Sequence, residues 1–539
     1  MVTDTFDYIV VGAGSAGCAL AARLSESGRH RVLLLEAGGD DRQFWIQVPI
    51  GYGKSFYDPS VNWMYMSEPV PTAGNRQTYW PRGKVLGGSS SINAMVYIRG
   101  QAEDYGDWEA AGNPGWGWDD VLPVYKRMEC HQWGESAWHG GSGPLKVTAP
   151  EAELHPLCAD FLTAGTEAGV PVNPDFNGAS QEGVGPYHIT TGNGFRMSAA
   201  RAYLWPARNR ANLKIETHAD AERLLFDGSR VTGVSYRCHG VQRTATAEAE
   251  VIVAAGAVGS PALLLRSGVG PASELAELGI RVQTDRPAVG RNLMDHYIVD
   301  QMYRSRRPSL NNTLAPWWGR ALAGMQYLLA RRGPVSLSLN QAGGFIRTRP
   351  ELTRPNMQLY FSPLSYTKAP PGKRPLMHPD PYAAFLTSIS QCRPTSRGWL
   401  KLRSADPHEA PEIQPNYLST EFDLQENLEG FKFIRKLAET PTMREVIEEE
   451  VSPGPDVRSD DEMLDYFRNT GGSVFHPSGT CRMGPDPAMD VVRPDLRVYG
   501  LENLRVADAS IFPTIPSGNT NAPSIMVGEK ASDIILGNR

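Results

Sequence analysis

Hydrophobic and polar positions at the start of the chain predict a strand, a helix and a second strand. Residues 7–11 and 31–36 are short apolar runs containing β-branched residues, as is typical of parallel strands that are buried on both faces. The Ala-rich segment 16–25 between them predicts a helix that ends at Gly28. The pattern therefore indicates a βαβ unit at the N-terminus.

Later segments repeat the strand pattern in two groups. The first group comprises 213–216, 231–236, 250–255 and 504–507, and the second comprises 357–361 and 383–390. Residues 300–465 differ from the rest of the chain in their residue pattern, which predicts a helix at 421–439 and a Pro-rich loop at 369–381. The Gly/Pro-rich segments 131–145 and 366–381 are interpreted either as lids over a site or as plain surface connections. We therefore expect a second domain.

The segment 317–332 predicts an amphipathic helix. Its apolar positions recur at helical spacing and basic residues cluster at its end. Two interpretations stay open: a helix packed over the second domain, or a helix that rests on a membrane and meets a quinone. The apolar stripe consists of Trp318, Ala321, Leu322, Met325, Leu328 and Leu329.

Length and composition narrow the class of protein. A chain of 539 residues is too long for one simple core, and 41% hydrophobic with 21% charged residues indicates a globular protein. The net charge of −6 and the lack of a Lys/Arg stripe argue against nucleic acid as a partner.

The six scattered cysteines form no CxxC pair, so we expect neither a disulfide framework nor a metal site. No segment has the length of a membrane span or a leader, so a cytoplasmic protein is expected, with peripheral contact to the inner face of the membrane as the alternative.

A nucleotide site is predicted in the first turn. Gly12, Gly14 and Gly17 form GxGxxG between the strand and the helix. The first glycine makes the tight turn, the second lets the backbone approach a pyrophosphate, and the third lets helix and strand pack closely. Glu36 follows at the end of the second strand, where a carboxylate can bind a ribose hydroxyl and would repel the extra phosphate of NADP. This pattern fits either NAD or FAD.

Five ordered segments stand out along the chain: GKVLGGSSSIN at 83–93, GAVGSPALLLRSGVG at 256–270, HPSGTCRMG at 476–484, DAS at 508–510 and SGNTNAP at 517–523. Together they resemble the glucose–methanol–choline oxidoreductase family, nearest its bacterial choline dehydrogenase and alcohol dehydrogenase branch. The resemblance implies an α/β protein with a Rossmann-type FAD-binding domain and a second, antiparallel-sheet substrate-binding domain. We assign residues 1–155, 196–300 and 467–539 to the first domain, and 156–195 and 301–466 to the second.

The resemblance also implies which residues meet FAD. The adenosine and pyrophosphate would be held by the first turn and Glu36, the middle of the cofactor by the 83–93 segment, and the ring by the C-terminal segment. Ile92 occupies the position at which some family oxidases carry a histidine bonded to the flavin, so FAD is expected to be non-covalent. The expected cofactor-binding residues are Gly12, Gly14, Ser15, Ala16, Gly17, Glu36, Ala37, Arg82, Gly87, Gly88, Ser89, Asn93, Ala221, Asp508, Ala509, Asn521 and Pro523.

Alcohol oxidation needs a base for the hydroxyl proton, a hydride acceptor and a group that holds the oxygen. His476 lies in the segment resembling the family's catalytic histidine, and Asn519 at the family's second catalytic position. We therefore expect His476 to take the proton, Asn519 to bind the oxygen, and the hydride to pass to flavin N5. Electrons would then pass to a quinone, a dye or O₂.

The substrate is expected to be an uncharged primary alcohol, aliphatic or aromatic. In choline dehydrogenases the stretch resembling 340–345 carries Glu where this chain has Gln341, and a quaternary ammonium favours a carboxylate or an aromatic cage. Gln341, Val474 and Phe475 are therefore predicted to contact substrate. Choline dehydrogenase, an oxygen-using alcohol oxidase, and the hydroxynitrile lyases and photodecarboxylases of the same fold remain alternatives.

Overall fold

The computed structural model describes residues 4–367 and 378–537. Its first sheet has seven strands and contains the predicted βαβ unit. The strands lie in the order Leu213–Glu216, Val32–Leu35, Asp4–Val11, Val241–Val253, Arg230–Cys238, Ala219–Asp227, and Leu504–Val506 also pairs with Val241–Val253.

The long strand Val241–Val253 joins two kinds of pairing in this sheet. Its second half pairs in parallel with Asp4–Val11 and with Leu504–Val506, in a register that sets Ile9 opposite Val251. Its first half forms an antiparallel hairpin with Arg230–Cys238. The parallel part is apolar on both faces because helices cover it, as its fully buried residues show.

The second sheet also has seven strands and is antiparallel throughout. Its order is Ile447–Ser452, Tyr297–Ser305, Ala384–Gln391, Met357–Ser362, Ala342–Ile346, Gly183–Pro186, with Gly472–Ser473 also pairing with Tyr297–Ser305. The predicted α/β fold with an antiparallel second sheet is confirmed. The exact domain boundaries stay a prediction, since one buried cluster contains Ile9 of the first sheet and Phe385 of the second.

Helices surround both sheets. The predicted helix at 421–439 is observed as Glu421–Ala438, and the one at 317–332 as Trp317–Ala330. The other α-helices are Ser15–Leu24, Phe44–Gln47, Tyr52–Ser55, Ala102–Ala110, Trp118–Met128, Pro156–Glu167, Trp205–Ala207, Gly256–Arg266, Ala272–Glu277, Leu310–Leu314, Pro441–Val446, Asp460–Thr470 and Asn521–Leu536.

Two-residue and three-residue strands form small ribbons outside the main sheets. Residues 368–377 of the predicted Pro-rich loop and lid lie outside the described residues. The ribbon strands are Tyr65–Met66 with Tyr79–Trp80, Glu129–His131 with Leu145–Val147, Thr191–Gly192 with Phe195–Arg196, Val269–Gly270 with Thr284–Asp285, Tyr366–Thr367 with His378–Pro379, and Trp399–Lys401 with Glu412–Gln414.

Candidate active site

A cavity of about 810 Å³ runs between the two sheets. This volume is within the usual range of small-molecule and cofactor sites. One end is lined by the first βα turn and the other by strands of the second sheet. The cavity brings together the predicted residues Gly12, Gly14, Ser15, Ala16, Glu36, Ala37, Arg82, Gly88, Ser89, Asn93, Ala221, Val474, Phe475, His476, Asp508, Ala509, Asn519 and Asn521.

Backbone groups form the end of the cavity at the first turn. Gly12 has φ +99°, and a Cβ on it would lie 2.6 Å from the carbonyl oxygen of Ala254. Glu36 accepts hydrogen bonds from the backbone N–H groups of Ala13 (3.0 Å) and Gly38 (2.9 Å). Burial raises the pKa of Glu36 to about 7. This end is therefore a glycine cradle with one carboxylate, which suits a nucleotide.

The 83–93 segment lies against that cradle. A Cβ on Gly88 would lie 2.7 Å from the Cα of Gly14, so only a bare backbone fits here. Ile92 lines the cavity and offers no atom that could form a covalent bond to a cofactor. An elongated cavity with a Gly-lined nucleotide end and polar residues at the other fits an extended dinucleotide such as FAD. When bound, FAD supplies the hydride acceptor that protein side chains lack.

A buried carboxylate shapes the turn that carries His476. Asp295 Oδ1 accepts a hydrogen bond from the His476 backbone N–H (2.7 Å), and Oδ2 accepts from the hydroxyls of Ser473 and Tyr417. The preceding residue, Phe475, has φ +70°, a left-handed conformation that a bulky residue adopts only when its surroundings impose it. The turn therefore aims His476 into the cavity from a strained but anchored backbone.

Hydrogen bonds assign the proton positions on His476. The Nε2 atom of His296 lies 2.9 Å from the carbonyl oxygen of Cys392, which only accepts, so Nε2 carries the hydrogen. Burial lowers the pKa of His296 to about 4, so this ring is neutral and its Nδ1 accepts. His476 Nδ1, 3.0 Å away, must then donate to it. The Nε2 atom of His476 is consequently left with a lone pair directed towards Asn519.

A second set of hydrogen bonds orients Asn519. The phenol of Tyr360 donates to Gln358 Oε1 (2.7 Å), and Gln358 Nε2 donates to Asn519 Oδ1 (3.1 Å). The amide nitrogen of Asn519 thus lies on the other side, 3.3 Å from His476 Nε2. Burial, followed by the neighbouring His296 and Arg82, holds the pKa of His476 well below its usual range. The site therefore presents a neutral base beside an amide donor.

Sequence reasoning missed His296, Gln358, Tyr360 and Asp295. None of them belongs to a recognisable motif. Asp295 and His296 immediately precede one strand of the second sheet, and Gln358 and Tyr360 lie on another, so only the folded sheet brings them to the site. One signal was present: Gln358, Tyr360 and Ser362 alternate along a strand that is otherwise apolar. Alternation places these side chains on one face, and that face is the wall of the cavity.

Four predicted site residues do not line the cavity. Gly17 packs helix against strand, since a Cβ there would lie 1.9 Å from the Gly12 carbonyl oxygen. Gly87 donates its N–H to the Ala13 carbonyl, and Pro523 is buried in the helix Asn521–Leu536. Gln341 lies just before the strand Ala342–Ile346 and turns away from the cavity that Asn340 lines, since its Oε1 accepts from the His155 N–H (2.8 Å). The prediction that Gln341 contacts substrate therefore needs correction, and so does the argument against choline that rested on it.

A buried polar cluster lies outside the cavity. Ligand atoms of Glu129, His131 and His139 lie within 4.8 Å of one another, so these residues could hold a metal ion. Glu129 is, however, paired with the buried Arg99, and His139 bonds both Glu129 and Asp175. Although burial opposes it, these bonds raise the pKa of His139 to about 9. Glu129 and His139 are thus engaged by Arg99 and Asp175, and these contacts describe an ion-pair cluster.

Known proteins share this architecture along the whole chain. Family models described as GMC oxidoreductase match residues 6–298 and 394–528. An alcohol dehydrogenase [acceptor] of Pseudomonas putida is 43% identical over 98% of this chain and 96% of its own. An oxygen-dependent choline dehydrogenase of Photobacterium profundum is 41% identical over 100% and 94%. An Aspergillus oryzae formate oxidase, studied for modification of its FAD, superposes with TM-score 0.91 at 27% identity over 100% and 99%.

Both the residue pattern and the matches thus agree on the cofactor and the class of reaction. The matched regions together cover the cradle, the 83–93 segment and the turn of His476. Among the described residues, no helix is both long and apolar enough to cross a bilayer. The chain belongs to the GMC oxidoreductase family, and it is an FAD-dependent enzyme that acts on CH–OH groups.

Proposed function

We propose that this enzyme oxidises an uncharged primary alcohol to the aldehyde, with His476 as the base and Asn519 as the group that holds the substrate oxygen. One observation carries the proposal: the hydrogen-bond pattern leaves the Nε2 lone pair of a neutral His476 facing the Asn519 amide nitrogen. A base and a donor in this arrangement match the two demands of a hydroxyl group. The residues lining the glycine cradle would hold FAD without a covalent bond.

The chemistry of the two residues follows from their orientation. A substrate hydroxyl placed between them would donate its hydrogen to His476 Nε2 and accept one from Asn519 Nδ2. As the proton moves to His476, the amide N–H stabilises the negative charge that develops on the oxygen. His296 accepts from His476 Nδ1 and so helps to stabilise the imidazolium. Bound FAD provides the acceptor for the hydride.

The shape of the cavity wall supports an uncharged substrate. Asp300 is the carboxylate on the substrate-side wall, on the same strand face as Ile298. It lies three residues beyond Tyr297, the first residue of the strand, which is roughly 10 Å at a rise of about 3.3 Å per residue. The ammonium nitrogen of choline is only two bonds from its hydroxyl-bearing carbon. The position of Asp300 along the strand, away from the end next to His296, therefore favours a substrate without a charged group close to the reacting carbon.

Choline is the second candidate, because aromatic residues also line the cavity. Phe56 and Phe475 contact each other edge to face with ring centroids 5.5 Å apart, and Tyr360 lies on the wall near Asn519. Aromatic faces attract quaternary ammonium groups without a carboxylate. The similarity to choline dehydrogenases makes this alternative worth a direct test.

The natural electron acceptor is proposed to be a quinone or another carrier, with O₂ as the alternative. The relatives named above are called dehydrogenases, one with an unspecified acceptor and one oxygen-dependent. Artificial dyes would replace the carrier in an assay. The rate at which air re-oxidises the reduced enzyme separates these cases.

The deciding experiment follows flavin absorbance after adding alcohols without oxygen to the purified holoenzyme. The panel contains choline, n-alkanols of increasing length and benzyl-type alcohols at matched concentrations. We expect neutral primary alcohols to bleach the flavin and choline to do so far more slowly. Bleaching by choline alone would replace the first candidate with the second. A flavin that no alcohol bleaches would overturn both and favour a lyase or photodecarboxylase activity.

A further inference from the structure

The helix Trp317–Ala330, called the outer helix here, contacts the protein through a narrow stripe. Only Gly319, Ala323 and Tyr327 are buried on it. The apolar stripe predicted from the sequence lies outside instead: Leu329 is 83% exposed. The helix therefore packs on the protein, as one of the two interpretations expects, but through the face opposite to that stripe. The exposed large apolar residues are Trp317, Trp318, Leu322, Met325, Leu328 and Leu329.

The exposed apolar residues form one continuous face. At 3.6 residues per turn they span an arc of about 140°, whose centre is roughly opposite the buried stripe. An ordinary surface helix turns its apolar face inward and its charged face to water. The outer helix is inverted, with small residues such as Gly319 and Ala323 packed inward and tryptophans and leucines outward. An exposed apolar face of this extent marks an interaction surface.

Positive charge borders this face. Arg320 and Arg331 lie beside the apolar arc, and Arg332 follows the helix with a side chain 76% exposed. Across the described residues, Arg320 and Arg331 have no carboxylate within ion-pair distance, while Arg332 has Glu153 at 3.7 Å. No Asp or Glu occurs anywhere from 301 to 350, although the whole chain carries −6. The surface is therefore locally cationic on an acidic protein.

A second apolar element continues the surface. Phe44 and Trp45 are 55% and 42% exposed on the short helix Phe44–Gln47, and the Lys54 ammonium lies 3.7 Å from the Trp45 ring. This short helix contacts the strand Phe195–Arg196. The guanidinium of Arg331, at the end of the outer helix, lies 4.7 Å from the Phe195 ring. Phe195 thus connects the two exposed elements.

The outer helix also lies over the wall of the active-site cavity. Its buried Ala323 shares a core cluster with Tyr52 and Leu339, which line the cavity. The Tyr52 hydroxyl accepts a hydrogen bond from the Leu339 N–H (3.1 Å), so the wall is tied together beneath the helix. A surface that docks on this helix would therefore lie near the substrate side of the enzyme.

We propose that the outer helix, with Phe44 and Trp45, docks the enzyme on the surface of an anionic phospholipid bilayer. The helix lies in the plane of the interface with its tryptophans and leucines at the boundary between headgroups and acyl chains, and the flanking arginines meet phosphate groups. Tryptophan, leucine and arginine in this arrangement have the chemistry of interfacial helices. Anionic lipid attracts each nearby Arg electrostatically, and salt screens this attraction. The enzyme would then meet apolar alcohols and lipid-soluble acceptors where they concentrate.

The test is co-sedimentation of the full-length holoenzyme with vesicles. Phosphatidylcholine vesicles are compared with vesicles in which part of the lipid is phosphatidylglycerol, at low and high salt. We expect binding to the anionic vesicles, weakened by salt. The double variant Leu322→Gln/Leu329→Gln should bind about tenfold more weakly or worse, since each leucine loses its transfer into the interface. The control Val241→Gln/Met489→Gln, which alters two apolar residues elsewhere that are 59% and 60% exposed, should bind like wild type.

Flavin absorbance, bleaching by a water-soluble alcohol and molar mass by light scattering are measured on the same samples. Docking and catalysis can therefore fail separately, because an enzyme that bleaches no alcohol can still sediment with vesicles. Equal binding of the two double variants, or no preference for anionic lipid, would overturn the docking proposal. A wild-type dimer that Leu322→Gln/Leu329→Gln splits into monomers would overturn it too, and would assign the face to a second copy of the chain.

Discussion

The two ends of the cavity are built on different principles. At the nucleotide end the close contacts come from backbone and from the carboxylate of Glu36, whose hydrogen-bond partners Ala13 and Gly38 lie near it in the sequence, while Gly88 and Ala254 approach the glycines of the turn. At the catalytic end they come from side chains that lie far apart in the sequence, at 296, 358, 476 and 519. The first end depends on the absence of a Cβ, and the second on the orientation of individual nitrogen and oxygen atoms.

This difference indicates which substitutions should impair each end of the cavity. A backbone cradle tolerates changes in surrounding side chains but not a new atom on its glycines. A chain of directional hydrogen bonds keeps its shape after a substitution yet loses the correct proton position. Substitutions at the nucleotide end should therefore alter FAD affinity, and those at the catalytic end should alter rate at full FAD occupancy.

The largest effect is expected for His476→Ala. Removing the base should slow alcohol-dependent flavin reduction by on the order of 10² or more, because a general base contributes at least that much. The bound FAD, measured by absorbance, should stay at the wild-type level since His476 lies at the other end. Stopped-flow reduction without oxygen provides the rate, and an unchanged rate would remove His476 from its proposed role.

Glu36→Ala is expected to weaken FAD binding by roughly 10- to 100-fold, in line with about 1.5–3 kcal/mol for a charged hydrogen-bonding group. At saturating FAD the reduction rate should return to the wild-type value. Titration of the apoenzyme with FAD, followed by flavin fluorescence, measures the affinity. Asp227→Ala, at an exposed turn of the same sheet, is the control that should bind FAD normally. A rate defect that excess FAD does not restore would contradict the division between the ends.

His296→Ala should lower the reduction rate about tenfold with little change in KM, because His476 loses the acceptor that fixes its Nδ1 hydrogen. His296→Asn keeps an acceptor oxygen and should recover part of the rate. A purely structural role would instead lower the melting temperature and FAD content together, and the asparagine variant would give no selective recovery of rate.

Gln358→Met tests the orientation of Asn519 with nearly unchanged volume. The substitution also removes the bonds of Gln358 to Tyr187 and Tyr360, but only the bond to Asn519, worth about 0.5–1.5 kcal/mol, bears on the reacting groups, so flavin reduction should slow by roughly 3- to 10-fold. The control Gln341→Met changes a glutamine whose side chain bonds His155 away from the cavity, and it should leave the rate unchanged. Equal rates for wild type and Gln358→Met would show that Asn519 keeps its orientation without Gln358.

The smallest effect concerns pH. A base acts in its neutral form, and burial holds the pKa of His476 below the usual histidine range. The neutral form therefore prevails above that range, and the rate of flavin reduction should be nearly constant between about pH 7 and 9. It should fall only as pH drops through the lowered pKa. A rise in rate with a midpoint above pH 7 would mean that bound cofactor or substrate raises the pKa of His476 considerably.

The pattern of hydrophobic residues along the chain predicted the helices and strands, but it did not predict which face of each helix is buried. The strands at 7–11 and 31–36 and the helix at 421–439 were predicted because periodicity and turn residues act over a few positions. The period of the outer helix was equally clear, yet its apolar face lies outside. Periodicity shows that a helix has an apolar face, and only the packing of Gly319, Ala323 and Tyr327 shows which way it turns.

For this protein the sequence alone determined the βαβ unit, the glycine cradle with Glu36, the family and the pair His476 and Asn519. These features depend on neighbours in the chain or on short motifs, so they can be read without coordinates. The tertiary structure decided the tautomer of His476, the orientation of Asn519 by Gln358, the turning of Gln341 away from the cavity and the exposure of the outer helix. Each of these depends on which distant atoms meet across the two sheets, because hydrogen bonds and packing act through space.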